Sequence, residues 1–176
     1  MAAWRAACGV VTQEYKRVTP LLLGNLGSLA LDYVARNKVQ SANLNRFILE
    51  QLPVVPPAGF ARRFGSRTAE EVVREDILAL TYTAHDLVSF ARDQGYEGAP
   101  FHWDEEDRLR RRARLNAVFF LLFGMDRATA GAVMNTFPIL RRIEEERYDG
   151  RFRTRALVLR TMSALEAGNP DARVEG

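Results

Sequence analysis

The chain has 176 residues, of which 47% are hydrophobic and 27% charged. The length allows about one domain, or one and a half, and the composition is ordinary for a soluble globular protein. No apolar run reaches the roughly 20 residues that cross a bilayer, and residues 1–5 lack a signal-peptide pattern, so we expect a cytoplasmic protein. The single cysteine, Cys8, excludes an internal disulfide, and with only His85 and His102 beside it the chain is poorly equipped for zinc.

The basic residues are almost all arginines, although the net charge of +3 is only weak evidence for a nucleic-acid partner. Of the 25 basic residues, only Lys16 and Lys38 are lysines. Arginine offers a planar fork of donors for phosphates and guanine edges. A GC-rich genome gives the same bias through its codons, so both explanations stay open.

The first predicted element is an apolar helix over about residues 21–34, directly after Pro20, which suits an early helix position. Gly24, Gly27 and Ser28 would let another backbone come close to it. Its apolar surface is predicted to face a missing partner. The residues that follow are predicted to form a loop (40–43), a short amphipathic helix (44–52) and an extended, proline-rich exit (53–57).

The rest of the chain is predicted to be a series of helices with clear boundary signals. Thr68 and Glu71 fit a capping box. Four acidic residues at 104–107 suit the positive end of a helix dipole, and Gly124 is a typical stop. The predicted helices cover about residues 69–80, 83–95, 104–124, 126–135, 139–147 and 154–167, with a turn at Asp149 and Gly150.

These elements predict a mainly α-helical protein with a small N-terminal recognition segment followed by a helical bundle. The recognition segment spans residues 1–57 and a basic linker spans 58–67. The helical C-terminal domain spans 68–167, and a disordered tail is expected over 168–176.

Two cations, Arg36 and Lys38, flank the predicted end of the first helix. Cations at this position satisfy the terminal carbonyls of a helix. They could equally pair with phosphate, and Arg36 could read a guanine edge. Their spacing leaves the structural and the functional interpretation open.

Five arginines follow the acids 104–107 on one predicted helix. Glu106 with Arg110, and Asp107 with Arg111, form favourable pairs at i,i+4 spacing, so a self-paired surface is favoured over a nucleic-acid contact. The five are Arg108, Arg110, Arg111, Arg112 and Arg114. A looser set near the predicted turn could contact phosphate without specificity: Arg141, Arg142, Arg147, Arg151, Arg153 and Arg155.

The two histidines each lie near a carboxylate, His85 beside Asp86 and His102 close to Asp104. Either could act as a base held by that carboxylate. No serine, cysteine or second acid joins them at an informative spacing, so ordinary structural or surface roles are favoured. The aromatic side chains are interpreted as core rather than as platforms for stacked bases.

Several segments in a fixed order carry a family resemblance. The first is Asp-Tyr-Val-Ala-Arg-Asn-Lys-Val at 32–39, followed by Leu44 and by Gln-Leu-Pro-Val-Val-Pro-Pro at 51–57. Later segments extend the match over about residues 20–160; they lie at 77–87, 95–96, 100–108, 122–124, 134–138 and 153–159. This set resembles the C-terminal, target-recognition region of Type IIG-like or phage-defence adenine-N6-specific DNA methyltransferases, a restriction-modification family.

The resemblance implies a portion of such an enzyme that engages duplex DNA. Its C-terminal helices would dock on a methyltransferase core polypeptide, either fused or in trans. The family often has a Gly-Gly-Thr-His-like stretch where this chain has Gln-Ser-Ala-Asn at 40–43, so the recognised DNA sequence is not predicted. The residues expected to face DNA are Arg36, Lys38, Asn43, Asn45 and Arg46.

The chain contains no visible methyltransferase centre. Adenine-N6 methylation needs an Asn/Asp-Pro-Pro-Tyr-like turn around the flipped base, but the prolines at 56–57 stand between Val55 and Ala58. No glycine-rich loop for S-adenosylmethionine follows a strand, so that cofactor is expected in the catalytic core of the family and not here. The alternative is a helical scaffold subunit that stabilises a methyltransferase core and touches no DNA. A third interpretation is a small enzyme that uses His85 or His102.

Overall fold

The computed structural model of the protein describes residues 15–39, 45–172 and 174. Helix makes up 68% and strand 3%, which confirms the predicted mainly α-helical class. The helices are α1 (Tyr15–Leu26), α2 (Leu29–Lys38), α3 (Arg46–Leu49), α4 (Ala69–Thr81), α5 (Val88–Asp93), α6 (Glu105–Leu122), α7 (Arg127–Asn135), α8 (Pro138–Arg147) and α9 (Arg153–Glu166). Two 3₁₀ turns cover Pro57–Ala61 and His85–Leu87, and a hairpin joins β1 (Arg63–Phe64) to β2 (Arg67–Thr68).

Helix α6 lies at the centre of the fold and packs against α2, α4 and α9. Its Phe119 and Phe120 are fully buried, and the Phe60 ring meets Phe119 edge-on at 6.0 Å between centroids. The same hydrophobic cluster contains Leu21 and Val55 from the predicted recognition segment. The two predicted parts of the chain therefore share one apolar core, and the domain boundaries themselves stay a prediction.

Polar N-caps start three central helices where the sequence predicts them. The Oγ1 of Thr68 accepts the backbone N–H of Glu71 at 3.2 Å, and the Glu71 carboxylate accepts the N–H of Thr68 at 2.7 Å. This confirms the capping box. Asp104 and Asp126 each accept the N–H three residues further along, and Gly124 ends α6 with a φ of 74°.

The first helix differs from its prediction in two respects. Helix α1 already includes Tyr15, so Pro20 lies inside it and not at its start. Because proline has no N–H to give to the carbonyl of Lys16 four residues back, the Nε2 of Gln94 donates to that oxygen instead, at 2.9 Å. The apolar stretch is also divided at Ser28, which caps α2 and marks a 64° bend from α1.

The stretch predicted as a linker is a packed part of the fold. Its hairpin pairs Arg63 with Thr68 and Phe64 with Arg67. Phe64 is buried, as is Phe60 in the preceding 3₁₀ turn. Apolar burial at two of these positions explains why a segment with three arginines is ordered: the rings enter the core while the charges stay at its edge.

The end of the chain was expected to fray from residue 168, but its described residues are packed against the hairpin. A Cβ on Gly65, whose φ is 62°, would lie 2.0 Å from the carbonyl oxygen of Gly168, so the two backbones meet at a glycine. Asp171 forms an ion pair with Arg67 at 2.6 Å between Oδ1 and Nη1. These contacts join residues more than a hundred positions apart, so they cannot be predicted from the local sequence.

Three smaller differences concern local elements. The short helix predicted over 44–52 is only the single turn α3, and the loop predicted over 40–43 lies outside the described residues. The helix predicted to begin at Thr83 is a 3₁₀ turn followed by α5. Among the described residues no single helix has the length and apolarity to cross a membrane, while α1 with α2 and α6 with α7 meet that test only as bent pairs.

Candidate functional site

The two cations at the end of α2 are exposed, but only one has a partner within the helix. The Nε and Nη2 of Arg36 donate to both carboxylate oxygens of Asp32, each at 3.0 Å. This hydrogen bond raises the pKa of Arg36 above its usual value. The Arg36 guanidinium also lies 4.9 Å from the centre of the Phe137 ring. Lys38 is exposed and makes no such contact among the described residues.

Two of the remaining predicted DNA-facing residues, Asn45 and Arg46, lie at the start of α3. The Oδ1 of Asn45 accepts the N–H of Ile48 at 2.9 Å and so caps this single turn. Arg46 pairs with Glu50 at 2.7 Å on the exposed face. Asn43 lies outside the described residues. Arg36, Lys38, Asn45 and Arg46 are therefore accessible, while local contacts already use the polar groups of three of them.

Two arginines of α6 pair with carboxylates at the predicted i,i+4 spacing. Arg110 Nη2 lies 3.4 Å from Glu106 Oε1, and Arg111 Nε lies 2.6 Å from Asp107 Oδ2. The Glu106 carboxylate also binds Arg153 at 2.6 Å, and this hydrogen bond holds the pKa of Glu106 below its usual value. The arginine-rich surface is thus largely neutralised by the protein itself.

Inside this surface, Asp76 is fully buried and receives both sides of a guanidinium fork. Arg114 donates from Nε to Asp76 Oδ2 at 2.7 Å and from Nη2 to Oδ1 at 2.6 Å, and Arg111 adds a third bond at 3.1 Å. Burial opposes the charge on Arg114, but the hydrogen bond and the charge of Asp76 outweigh it and raise the pKa of Arg114. Such a buried pair is held together because either charge alone would be costly in the core.

The same network reaches the hairpin and the tail. Arg114 also donates to Glu75 at 2.8 Å and to the carbonyl of Pro170 at 3.2 Å. Arg67 pairs with Glu75 and with Asp171. Arg67 of the predicted linker and Arg114 of the cluster predicted to be self-paired are therefore structural ties between α4, α6 and the chain end.

The last two arginines of the cluster lie one turn apart on α6 and differ in their surroundings. Arg108 lies 3.7 Å from the centre of the half-exposed Trp103 ring and donates to the carbonyl of Leu80 at 3.1 Å. Partial burial, and then the charge of Arg112, lower the pKa of Arg108. Arg112 is exposed, and its guanidinium makes no hydrogen bond or ion pair with another described residue.

Neither histidine is placed as a catalytic base by the described residues. His85 opens a 3₁₀ turn and His102 lies in an extended segment, and both are exposed without a hydrogen-bonding carboxylate in the described part of the chain. The described residues contain no group of three or more His, Cys, Asp or Glu able to hold a metal ion, and Cys8 lies outside them.

The most distinctive surface is apolar. Leu22, Leu23 and Leu26 of α1 are 45%, 43% and 46% exposed, and we call them the leucine surface. Each lines a different depression: Leu22 shares one with Val54, Leu26 shares a second with Leu49, and Leu23 lines a third. The leucine surface is therefore continuous with three apolar hollows.

The depression at Leu23, which we call the central groove, has a volume of about 460 Å³. Leucines of five helices line it: Leu23 from α1, Leu29 from α2, Leu80 from α4, Leu109 from α6 and Leu140 from α8. Arg112 is the cation in its lining. Volume and apolar walls with a few polar groups are typical of ligand sites.

Comparison with known proteins gives no relative: no family model matches the chain, and no curated protein or solved structure matches it either.

Sequence reasoning anticipated one part of this site and missed another. The run Leu21-Leu22-Leu23 could have located the exposed leucines, because consecutive helical side chains point about 100° apart and cannot all face one core. The central groove left no local signal. Its lining residues run from Leu23 to Thr154, and only the packing of helices that are distant in the chain brings them together.

Proposed function

We propose that this chain is a non-catalytic helical scaffold that binds a protein partner through the leucine surface, and that the partner is an adenine-specific DNA methyltransferase core. The observation that carries the proposal is the exposure of Leu22, Leu23 and Leu26 beside three apolar hollows. Exposed apolar patches of this kind mark protein interaction sites. The partner class follows from the sequence resemblance alone.

The state of the arginines supports a scaffold over a nucleic-acid surface on α6. Arg111 and Arg114 bind Asp76, and Arg110 binds Glu106. Moving these guanidinium groups onto phosphate would leave Asp76 buried without a partner, which is strongly unfavourable. A protein partner that covers leucines needs no such exchange, because burial of apolar area is favourable by itself.

The test is co-purification of the full chain with an adenine-N6 methyltransferase core polypeptide from the same genome. The wild-type chain should form a stoichiometric complex, and Leu22→Glu with Leu23→Glu should abolish it, since both carboxylates would be desolvated in the interface. The matched control is Ile139→Glu. Ile139 is 61% exposed and lies in the first turn of α8, where an acid suits the helix dipole.

Loss of the complex in the double leucine variant, with the Ile139→Glu complex intact, is the expected result. A complex that survives both changes would refute the leucine surface as the interface. Failure of the wild-type chain to bind the core would refute the choice of partner.

Duplex DNA is the second candidate partner, contacted by Arg36, Lys38, Asn43, Asn45 and Arg46. The favourable observation is that the four described members are all exposed. Arg36 and Arg46 would have to leave Asp32 and Glu50, but exposed i,i+4 pairs contribute only about 0.3–0.5 kcal/mol. Exchange of carboxylate for phosphate is therefore energetically feasible on this surface.

This candidate predicts salt-dependent binding by the chain alone. Arg36→Ala with Lys38→Ala should weaken duplex affinity and reduce the salt slope by about two, roughly one for each lost phosphate contact. Arg110→Ala is the control, because it removes another exposed arginine with an i,i+4 partner outside the α2–α3 surface. Unchanged affinity and slope in the double variant would remove Arg36 and Lys38 from the DNA interface.

A further inference from the structure

The central groove holds several polar side chains, and most of them are already used within the protein. Asn116 accepts the N–H of Leu29 at 2.8 Å and donates to the carbonyl of Arg112 at 2.9 Å. Glu144 accepts both the N–H and the hydroxyl of Thr154. These groups fix the wall and leave it without free donors at those points.

The guanidinium of Arg112 is different, because it makes no hydrogen bond or ion pair with any described residue. It lines the apolar groove between Leu109 and Leu115 of the same helix. Arg108 lies one turn away, and two cations at i,i+4 spacing repel each other. An anion at this end of the groove would satisfy free donors and relieve that repulsion.

Gly27 keeps the groove open. It lines both the central groove and the neighbouring depression at Leu26, and a Cβ there would meet nothing nearer than the Leu23 carbonyl oxygen at 3.4 Å. Its φ is not in the left-handed region, so a larger side chain is compatible with the backbone. Gly24 is the opposite case, since its Cβ would meet Phe119 at 3.0 Å.

We infer that the central groove binds an aliphatic carboxylate, with the chain along the leucine walls and the head group on Arg112. The volume of about 460 Å³ suits a small ligand. The unpaired guanidinium of Arg112 favours an anionic head group. The carboxylate of Glu144 in the same lining repels an anion, so the head group lies towards Arg112 and away from α8. This site goes beyond the proposed scaffold function, because it needs no protein partner.

The experiment is a titration of the full chain with sodium decanoate below its micelle concentration, followed by calorimetry and by backbone amide NMR. Decyltrimethylammonium and decanol are the head-group controls. Gly27→Leu should abolish binding by filling the groove. Arg112→Gln should weaken decanoate binding roughly two- to fivefold, the range for one exposed ion pair, and leave decanol unchanged. Arg110→Gln is the matched control and should have no effect.

Saturable decanoate binding that is lost in Gly27→Leu and weakened in Arg112→Gln supports the site. Decanoate binding that persists in Gly27→Leu, equal binding of the cationic amphiphile, or no binding at all would overturn it. Each of these results is independent of the scaffold test, because Gly27→Leu and Arg112→Gln leave Leu22 unchanged and the titration contains no partner protein.

Discussion

Residues 108–114 of α6 and residues 21–26 of α1 differ in how many of their side chains find a partner within the protein. The α6 segment carries five arginines, yet three of them are bound to carboxylates of α4 and α6. The α1 segment has no charged residue between Pro20 and Leu26, and three of its leucines remain exposed. The charged region is closed by the fold, while the apolar region is open to another molecule.

Residue type alone therefore does not identify an interaction surface. Arginines attract attention as nucleic-acid ligands, but a guanidinium already held by a buried carboxylate has little to offer a phosphate. Leucines are usually interpreted as core residues, but burying exposed leucines against a partner is favourable. An interaction surface is indicated by the hydrogen-bond donors that remain unpaired and the apolar area that remains exposed after folding.

The largest expected effect breaks the closed region. Arg114→Met keeps the aliphatic stem but leaves Asp76 buried with only Arg111, and should lower the free energy of unfolding by about 3 kcal/mol or more. Arg110→Met, at an exposed pair, should change it by less than about 0.5 kcal/mol. Urea denaturation measures both. Equal effects would mean that Asp76 does not depend on Arg114.

The next effect separates neighbouring leucines of α1. Leu21 is 4% exposed in the core, so Leu21→Ala should cost about 2–4 kcal/mol through lost burial and a cavity. Leu22→Ala and Leu23→Ala should each cost less than about 1 kcal/mol, because these side chains are already half in water. Thermal unfolding of the three variants tests this order. A large loss of stability in Leu22→Ala would show that the Leu22 side chain is buried in solution.

A smaller effect compares Gly24 within α1 with Gly27 directly after it. Gly24→Ala places a methyl group 3.0 Å from the Phe119 ring and 3.1 Å from Val73, and should cost about 1–2 kcal/mol by overpacking. Gly27→Ala meets no side chain within 4 Å and should be neutral or stabilise by about 0.5 kcal/mol. Chemical denaturation under identical conditions measures the difference. Matching losses would place Gly27 in the core.

The smallest effect is the pH dependence of the ion pairs. Hydrogen bonds from Arg17 to Glu70 and from Arg153 to Glu106 hold the pKa of each glutamate below its usual 4.5. A carboxylate with a lowered folded-state pKa stabilises the fold above its unfolded pKa, and this contribution disappears as pH falls through the lowered value. Stability should therefore fall below about pH 4.5, by less than about 1 kcal/mol for each exposed pair. Unfolding midpoints between pH 7 and 3 measure it, and high salt should flatten the curve.

Local sequence determined most of the helices. Thr68, Asp104 and Asp126 cap helices where predicted, because a side-chain oxygen three residues before an N–H needs no distant partner. The pairs of Arg110 and Arg111 with acids one turn earlier follow from the same short range. The mainly α-helical class follows from these signals.

Tertiary structure decided what the sequence left open. Pro20 lies within α1 because Gln94, distant in sequence, replaces its missing hydrogen bond, and the predicted linker is packed because Phe60 and Phe64 find the core. Arg111 and Arg114 of the arginine-rich surface bind the buried carboxylate of Asp76, which is distant in sequence. The central groove exists only where helices distant in the chain meet, since burial and cavities depend on residues that are far apart in sequence.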